Sequence, residues 1–174
     1  MHKSLRIIAF LTIITAWVST AYSSTSHYRA MFREDPSKTF VVGWEQDGGG
    51  TPTLYYGTID HGQNWNLYAS SAPVNRSVSQ QGMDNRFVRL YQLQPQTKYY
   101  FVIRDNDGVS PRMYVQTMSD DPTVPISMIA GGDSRNNRSV RQNANKMAAK
   151  LRPDFIAFGG DYTDLNLPWQ WDDW

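Results

Sequence analysis

Two apolar runs, each closed by Gly-Gly-Asp, restrict the possible folds of this chain more than any other feature. They read Ile126-Ser127-Met128-Ile129-Ala130-Gly131-Gly132-Asp133 and Asp154-Phe155-Ile156-Ala157-Phe158-Gly159-Gly160-Asp161, and a spacing of 28 positions separates Asp133 from Asp161. Between the runs, Val140, Ala144, Met147, Ala148 and Leu151 recur at helical period, opposite Arg141, Gln142, Asn145 and Lys146. Pro153 ends that pattern, because proline cannot continue a helix. Strand, helix and strand over this distance make one βαβ crossover, whose hand and strand adjacency are nearly fixed. Both carboxylates then leave the sheet at one edge, on strands about 5 Å apart if they are neighbours. Open α/β sheets place ligands at that edge, and two converging carboxylates there suit a cation.

Upstream the period changes from 3.6 to 2. Thr39–Trp44, Thr53–Gly57, Arg86–Tyr91, Lys98–Arg104 and Arg112–Thr117 are short runs rich in Tyr, Val, Thr and Phe. Asp47-Gly48-Gly49-Gly50, His61-Gly62 and Asn106-Asp107-Gly108 separate them and suit turns with positive φ. Short strands at this spacing predict an all-β sandwich. The polar, proline-bearing stretch Ser119–Pro125 reads as a stiff linker. The expected division is therefore residues 1–23 as a leader, 24–121 as the sandwich with its linker, and 122–174 as the start of an α/β domain.

The leader reading rests on Lys3 and Arg6, the apolar stretch Ile7–Val18 and the small residues that follow. It predicts a secretory signal peptide cut after Ala21 or Ser23, hence a secreted or periplasmic protein. The stretch is short for a membrane span, which takes about 20 residues, so no stable span is expected. Removing Lys3 and Arg6 turns the formal charge of +1 slightly negative, and nothing in the balance points to nucleic acid. The chain has no cysteine, which excludes disulfides, thiolate ligands and a cysteine nucleophile. Asn75 and Asn137 open Asn-x-Ser sequons, relevant only where exported proteins are glycosylated.

Leu93-x-Pro95-x-Thr97-x-Tyr99 before a strand is similar to the tyrosine corner of immunoglobulin-like sandwiches, with Trp44 as the inter-sheet aromatic. Together these resemble a fibronectin type III domain. Gly132-Asp133-Ser134-Arg135 and Gly160-Asp161-Tyr162-Thr163-Asp164 resemble the first two motifs of calcineurin-like metallophosphoesterases. A fibronectin-like sandwich placed before them resembles the domain order of purple acid phosphatases. The fold expectation is an all-β fibronectin III-like sandwich followed by the first βαβ unit of an α/β metallophosphoesterase domain.

That resemblance implies hydrolysis of a phosphate ester at a binuclear centre of two divalent or trivalent ions, such as Fe, Zn or Mn. It makes Asp133 a terminal metal ligand and Asp161 the bridge. Asp164 stands where the purple enzymes carry tyrosine, and Arg135 where other relatives carry histidine. Arg135 reads either as a contact to substrate phosphate or as a surface ion pair. Asp164 reads either as an acceptor that orients a ligand or as a cap. Asn136 and Asn137 read as helix caps, and Arg138 and Arg141 as solvated charges. No histidine follows Asp161, so the resemblance implies an incomplete domain that is inactive alone. The alternative is a non-enzymatic exported binding or spacing module with a vestigial tail. Nothing in the sequence fixes the oligomeric state.

Overall fold

The computed structural model describes residues 21–171; the leader expectation falls on residues 1–20, outside the described residues. Eight antiparallel strands come first: β1 (Thr25–Met31), β2 (Phe40–Gln46), β3 (Thr53–Gly57), β4 (Ser70–Pro73), β5 (Arg76–Gln80), β6 (Met83–Leu90), β7 (Lys98–Arg104) and β8 (Met113–Gln116). They form two four-stranded sheets, ordered β1-β2-β6-β5 and β4-β3-β7-β8. The five expected strands appear as β2, β3, β6, β7 and β8. The three additional strands are those without a strong apolar alternation. β4 and β5 are short and largely exposed, and β1 is broken by a register shift between Ser26 and Arg29.

Alternate residues of each inner face fill the space between the sheets. Phe40, Val42, Trp44, Val88 and Leu90 come from one sheet, and Leu54, Tyr99, Phe101 and Ile103 from the other. Trp44 is fully buried, and its Nε1 donates to Gln46 Oε1 at 2.8 Å. The Tyr99 ring is buried and its hydroxyl accepts from the backbone N–H of Gln94 at 2.9 Å, the back-bond a tyrosine corner requires. At one end of the sandwich, buried Asp105 accepts from the backbone of Ser24, Asp107 and Gly108 and from Gln46 Nε2. One carboxylate thereby satisfies the turn that closes β7 and ties the entry to β1.

The second part holds β9 (Met128–Gly131), α1 (Arg138–Leu151), β10 (Phe155–Phe158) and the short α2 (Pro168–Trp171). β9 and β10 are parallel neighbours, in register from Met128↔Phe155 to Gly131↔Phe158. α1 ends in a left-handed Arg152 whose N–H reaches Ala148 O, directly before Pro153. Its apolar stripe is open, with Val140, Met147 and Leu151 each more than half exposed. Arg141, expected as a solvated charge, is instead the buried residue of α1, and its guanidinium donates to Arg135 O at 3.1 Å. Its position on the first turn, facing the loop that precedes the helix, explains the difference.

Candidate functional site

The glycines after β9 and β10 let the two chains remain zipped past the strands. Gly159 N–H donates to Gly131 O at 2.6 Å, Asp133 N–H to Gly160 O at 2.9 Å, and Arg135 N–H to Asp161 O at 2.9 Å. A Cβ on Gly132 would lie 3.1 Å from backbone atoms of Gly159, so any side chain there would have to push the two backbones apart by a few tenths of an ångström. Asp133, Arg135 and Asp161 all have left-handed backbones, with φ of 52°, 48° and 47°. Aspartate tolerates that region better than most residues, whereas a cluster of three is a strained arrangement of the kind found at functional sites.

These constraints bring Asp133 and Asp161 to one edge. Arg135 spans them: its Nε lies 2.8 Å from Asp133 Oδ1, and its Nη2 lies 3.3 Å from Asp161 Oδ2. Asp164 Oδ1 is 3.6 Å from Arg135 Nη1 on the remaining side of the guanidinium. The hydrogen bond to Asp133 first, and then the charges of Asp133 and Asp161, raise the Arg135 pKa above its ordinary value. All four side chains are exposed, so these ion pairs fix geometry more than stability.

Neighbouring residues hold this edge in shape. Asn136, expected as a cap, instead accepts from Asp164 N–H at 2.9 Å and donates to Gln170 O at 3.1 Å. Asn137 sits at the cap position of α1 but makes no side-chain cap bond. Gln170 is buried, and its Oε1 accepts from the backbone of Leu165 and Leu167. Sequence reasoning missed Gln170 and the role of Arg141, since neither belongs to a periodic pattern or a motif. Tyr162 stacks on Trp171 at 6.1 Å and packs against Phe158 at 4.8 Å.

As metal donors, the two carboxylates fit a share of a centre. They are hard oxygen ligands converging at a sheet edge, and beside them Ser134 Oγ is buried without a hydrogen-bond partner among the described residues. They do not amount to a whole centre. Among the described residues, no three His, Asp or Glu side chains group closely enough to hold an ion. Also among the described residues, no helix is long and apolar enough to cross a membrane.

Residues 25–117 match the family model described as the purple acid phosphatase N-terminal domain. Among solved structures, the chain resembles PhoD at 15% identity and a TM-score of 0.56, over 86% of this chain and 29% of that one. It also resembles purple acid phosphatase PPD1 from yellow lupin (Lupinus luteus) seeds at 12% identity and a TM-score of 0.60, over 81% of this chain and 30% of that one. At such identities the likeness concerns fold, and the chain spans about three-tenths of the length of both structures. No curated protein sequence matches it.

Proposed function

Because this chain belongs to the purple acid phosphatase N-terminal domain family, we propose that it serves an exported, metal-dependent hydrolysis of phosphate esters. In this reading the sandwich carries the opening β/α unit of the hydrolase, and that unit contributes Asp133 and Asp161 as metal ligands. The observation that supports it is the span of one guanidinium: Arg135 touches both carboxylates, so both lie within reach of a common ion pair.

Asp133 and Asp161 would hold part of a metal pair, which would supply an activated water and stabilise charge on the phosphoryl oxygens. The role of this chain is to hold Asp133 and Asp161 at fixed separation through the Gly-Gly zipper, and to present Arg135 beside them as a fork for a phosphate oxygen. Asp164 orients Arg135 from its third side. Further donors, histidine above all, have to join these two carboxylates for a working centre.

The test is the complete reading frame that contains this chain, assayed on p-nitrophenyl phosphate with added Mn²⁺ or Zn²⁺. Asp161→Asn is expected to lower turnover at least a hundredfold, and undiminished turnover would remove Asp161 from the centre. A second reading, a non-enzymatic binding or spacing module, is favoured by one observation. Among the described residues, every large buried hydrophobic side chain lies in the sandwich, between Phe40 and Ile103.

A further inference from the structure

A cleft of about 410 Å³ lies between the outer face of the β1-β2-β6-β5 sheet and the segment carrying Tyr162 and Trp171. Its floor is a single row of residues across all four strands. Arg29 pairs with Gly43, Gly43 with Phe87, and Phe87 with Arg76, so their side chains share one face. Gly43 is what lets the row close up: a Cβ there would lie 3.0 Å from the Phe87 ring and 3.3 Å from Arg29 Cγ. Both guanidiniums then sit over the same ring, Arg29 at 5.7 Å and Arg76 at 6.0 Å from its centroid.

The charges in the cleft do not cancel. Glu45, on the same sheet face, is paired with His27 at 2.8 Å and its charge also acts on Arg29, which leaves Arg76 as the cation in excess. Arg29 is tethered to His27 O and to Asn85, and keeps its charge, as arginine does. Arg76 is exposed and forms no ion pair among the described residues. Opposite these cations, Tyr162 and Trp171 lie stacked with their planes 29° apart. A plain packing surface needs neither two cations on one ring nor a stacked aromatic pair facing them. A ligand with a flat ring and a phosphate uses both.

We propose that this cleft is a binding site for an aromatic phosphate monoester of the nucleoside-phosphate class, distinct from the carboxylate edge. The ring stacks against Trp171, which Tyr162 backs, and the phosphate meets Arg76 and Arg29. The site needs no metal and neither Asp133 nor Asp161, so it stands or falls separately from the phosphoesterase reading.

The experiment is calorimetric titration of the full chain in EDTA with AMP, ribose 5-phosphate and adenosine. AMP is expected to bind at least tenfold more tightly than either half-ligand. Arg76→Ala is expected to reduce AMP affinity to that of adenosine, and Trp171→Ala to that of ribose 5-phosphate. Arg76 is exposed on β5 and Trp171 is half-buried on α2, and circular dichroism checks that each variant keeps its fold. Asp161→Asn is expected to leave AMP binding unchanged. Equal affinity for AMP and ribose 5-phosphate overturns the stacking role, and an unaltered Arg76→Ala overturns the anion role. AMP affinity lost in Asp161→Asn and kept in Arg76→Ala moves the ligand to the carboxylate edge and overturns the cleft altogether.

Discussion

Arg135 meets Asp161 twice: its backbone N–H donates to the Asp161 carbonyl at 2.9 Å, and its guanidinium reaches the Asp161 carboxylate at 3.3 Å. The first contact survives any substitution other than proline, while the second belongs to the side chain alone. Arg135→Ala therefore removes a positive charge from between two carboxylates without unzipping the strands. The exposed ion pairs are worth at most about 1 kcal/mol, so the urea midpoint should barely move. Mn²⁺ affinity, read by calorimetry, is expected to rise several-fold as a competing cation disappears. Unchanged or weaker Mn²⁺ binding would show that Arg135 does not act on cations at this edge.

The tyrosine corner is a small, isolated contribution to stability. Tyr99→Phe keeps the buried ring and removes the acceptor of the Gln94 N–H, so a loss of about 1 kcal/mol is expected by urea denaturation. Trp44→Ala empties the centre of the core and is expected to cost about 3–5 kcal/mol. A Tyr99→Phe variant as unstable as Trp44→Ala would mean that the corner organises the core as well as closing a loop.

Which parts were legible in the sequence follows from how each is stabilised. β2, β3, β6, β7 and β8 carry apolar residues at period 2 because they face the core or pair centrally; β4 and β5 are exposed edge strands with no such pattern. Tyr99 and Trp44 were readable because one local motif and one large aromatic identify them. The parallel adjacency of β9 and β10 was readable because a crossover of that length has few topologies. The helix face was misleading: Val140, Met147 and Leu151 predict burial that the described residues do not supply, whereas Arg141 is buried. The three-way grip of Arg135 and the support from Gln170 depend on left-handed turns and loop closure, which leave no periodic trace.

Gly43 tests the outer row of the sandwich. Gly43→Ala places a methyl against the Phe87 ring and the Arg29 stem, so one or both must shift. Overpacking of this kind costs about 1–3 kcal/mol, measurable as a lowered urea midpoint. A variant as stable as the parent would show that the row is loose enough to absorb a Cβ.

Asp35 gives a signature at acid pH. Its carboxylate is held below its ordinary range, first by the Ser37 hydroxyl at 2.6 Å and then by the Ser37 backbone N–H at 2.9 Å. A folded-state pKa below the unfolded one favours the turn above the unfolded value of about 4. That contribution is lost as pH falls through the lower folded value. Carbon-13 titration of the Asp35 carboxyl is expected to give a lower midpoint in the parent than in Ser37→Ala. Coincident midpoints would mean that the hydroxyl contributes nothing to the turn.

The two parts of the chain should differ in cooperativity. Among the described residues, the sandwich holds the large buried hydrophobic side chains and a tyrosine corner, and the linker after it carries no core residue. In the second part, Ile126 just before β9 and Met128 and Ile156 on the strands are each more than half exposed, at 60%, 54% and 53%. A two-stranded sheet with α1 and the one-turn α2 has no second layer to bury that surface, and layers are what stabilise a domain. Residues 24–121 are therefore expected to melt in a single sharp calorimetric transition, and residues 122–174 to show none. If the shorter piece melted sharply, its exposed strand face would have to find a partner in itself or in a second copy, and sedimentation of that piece would tell which.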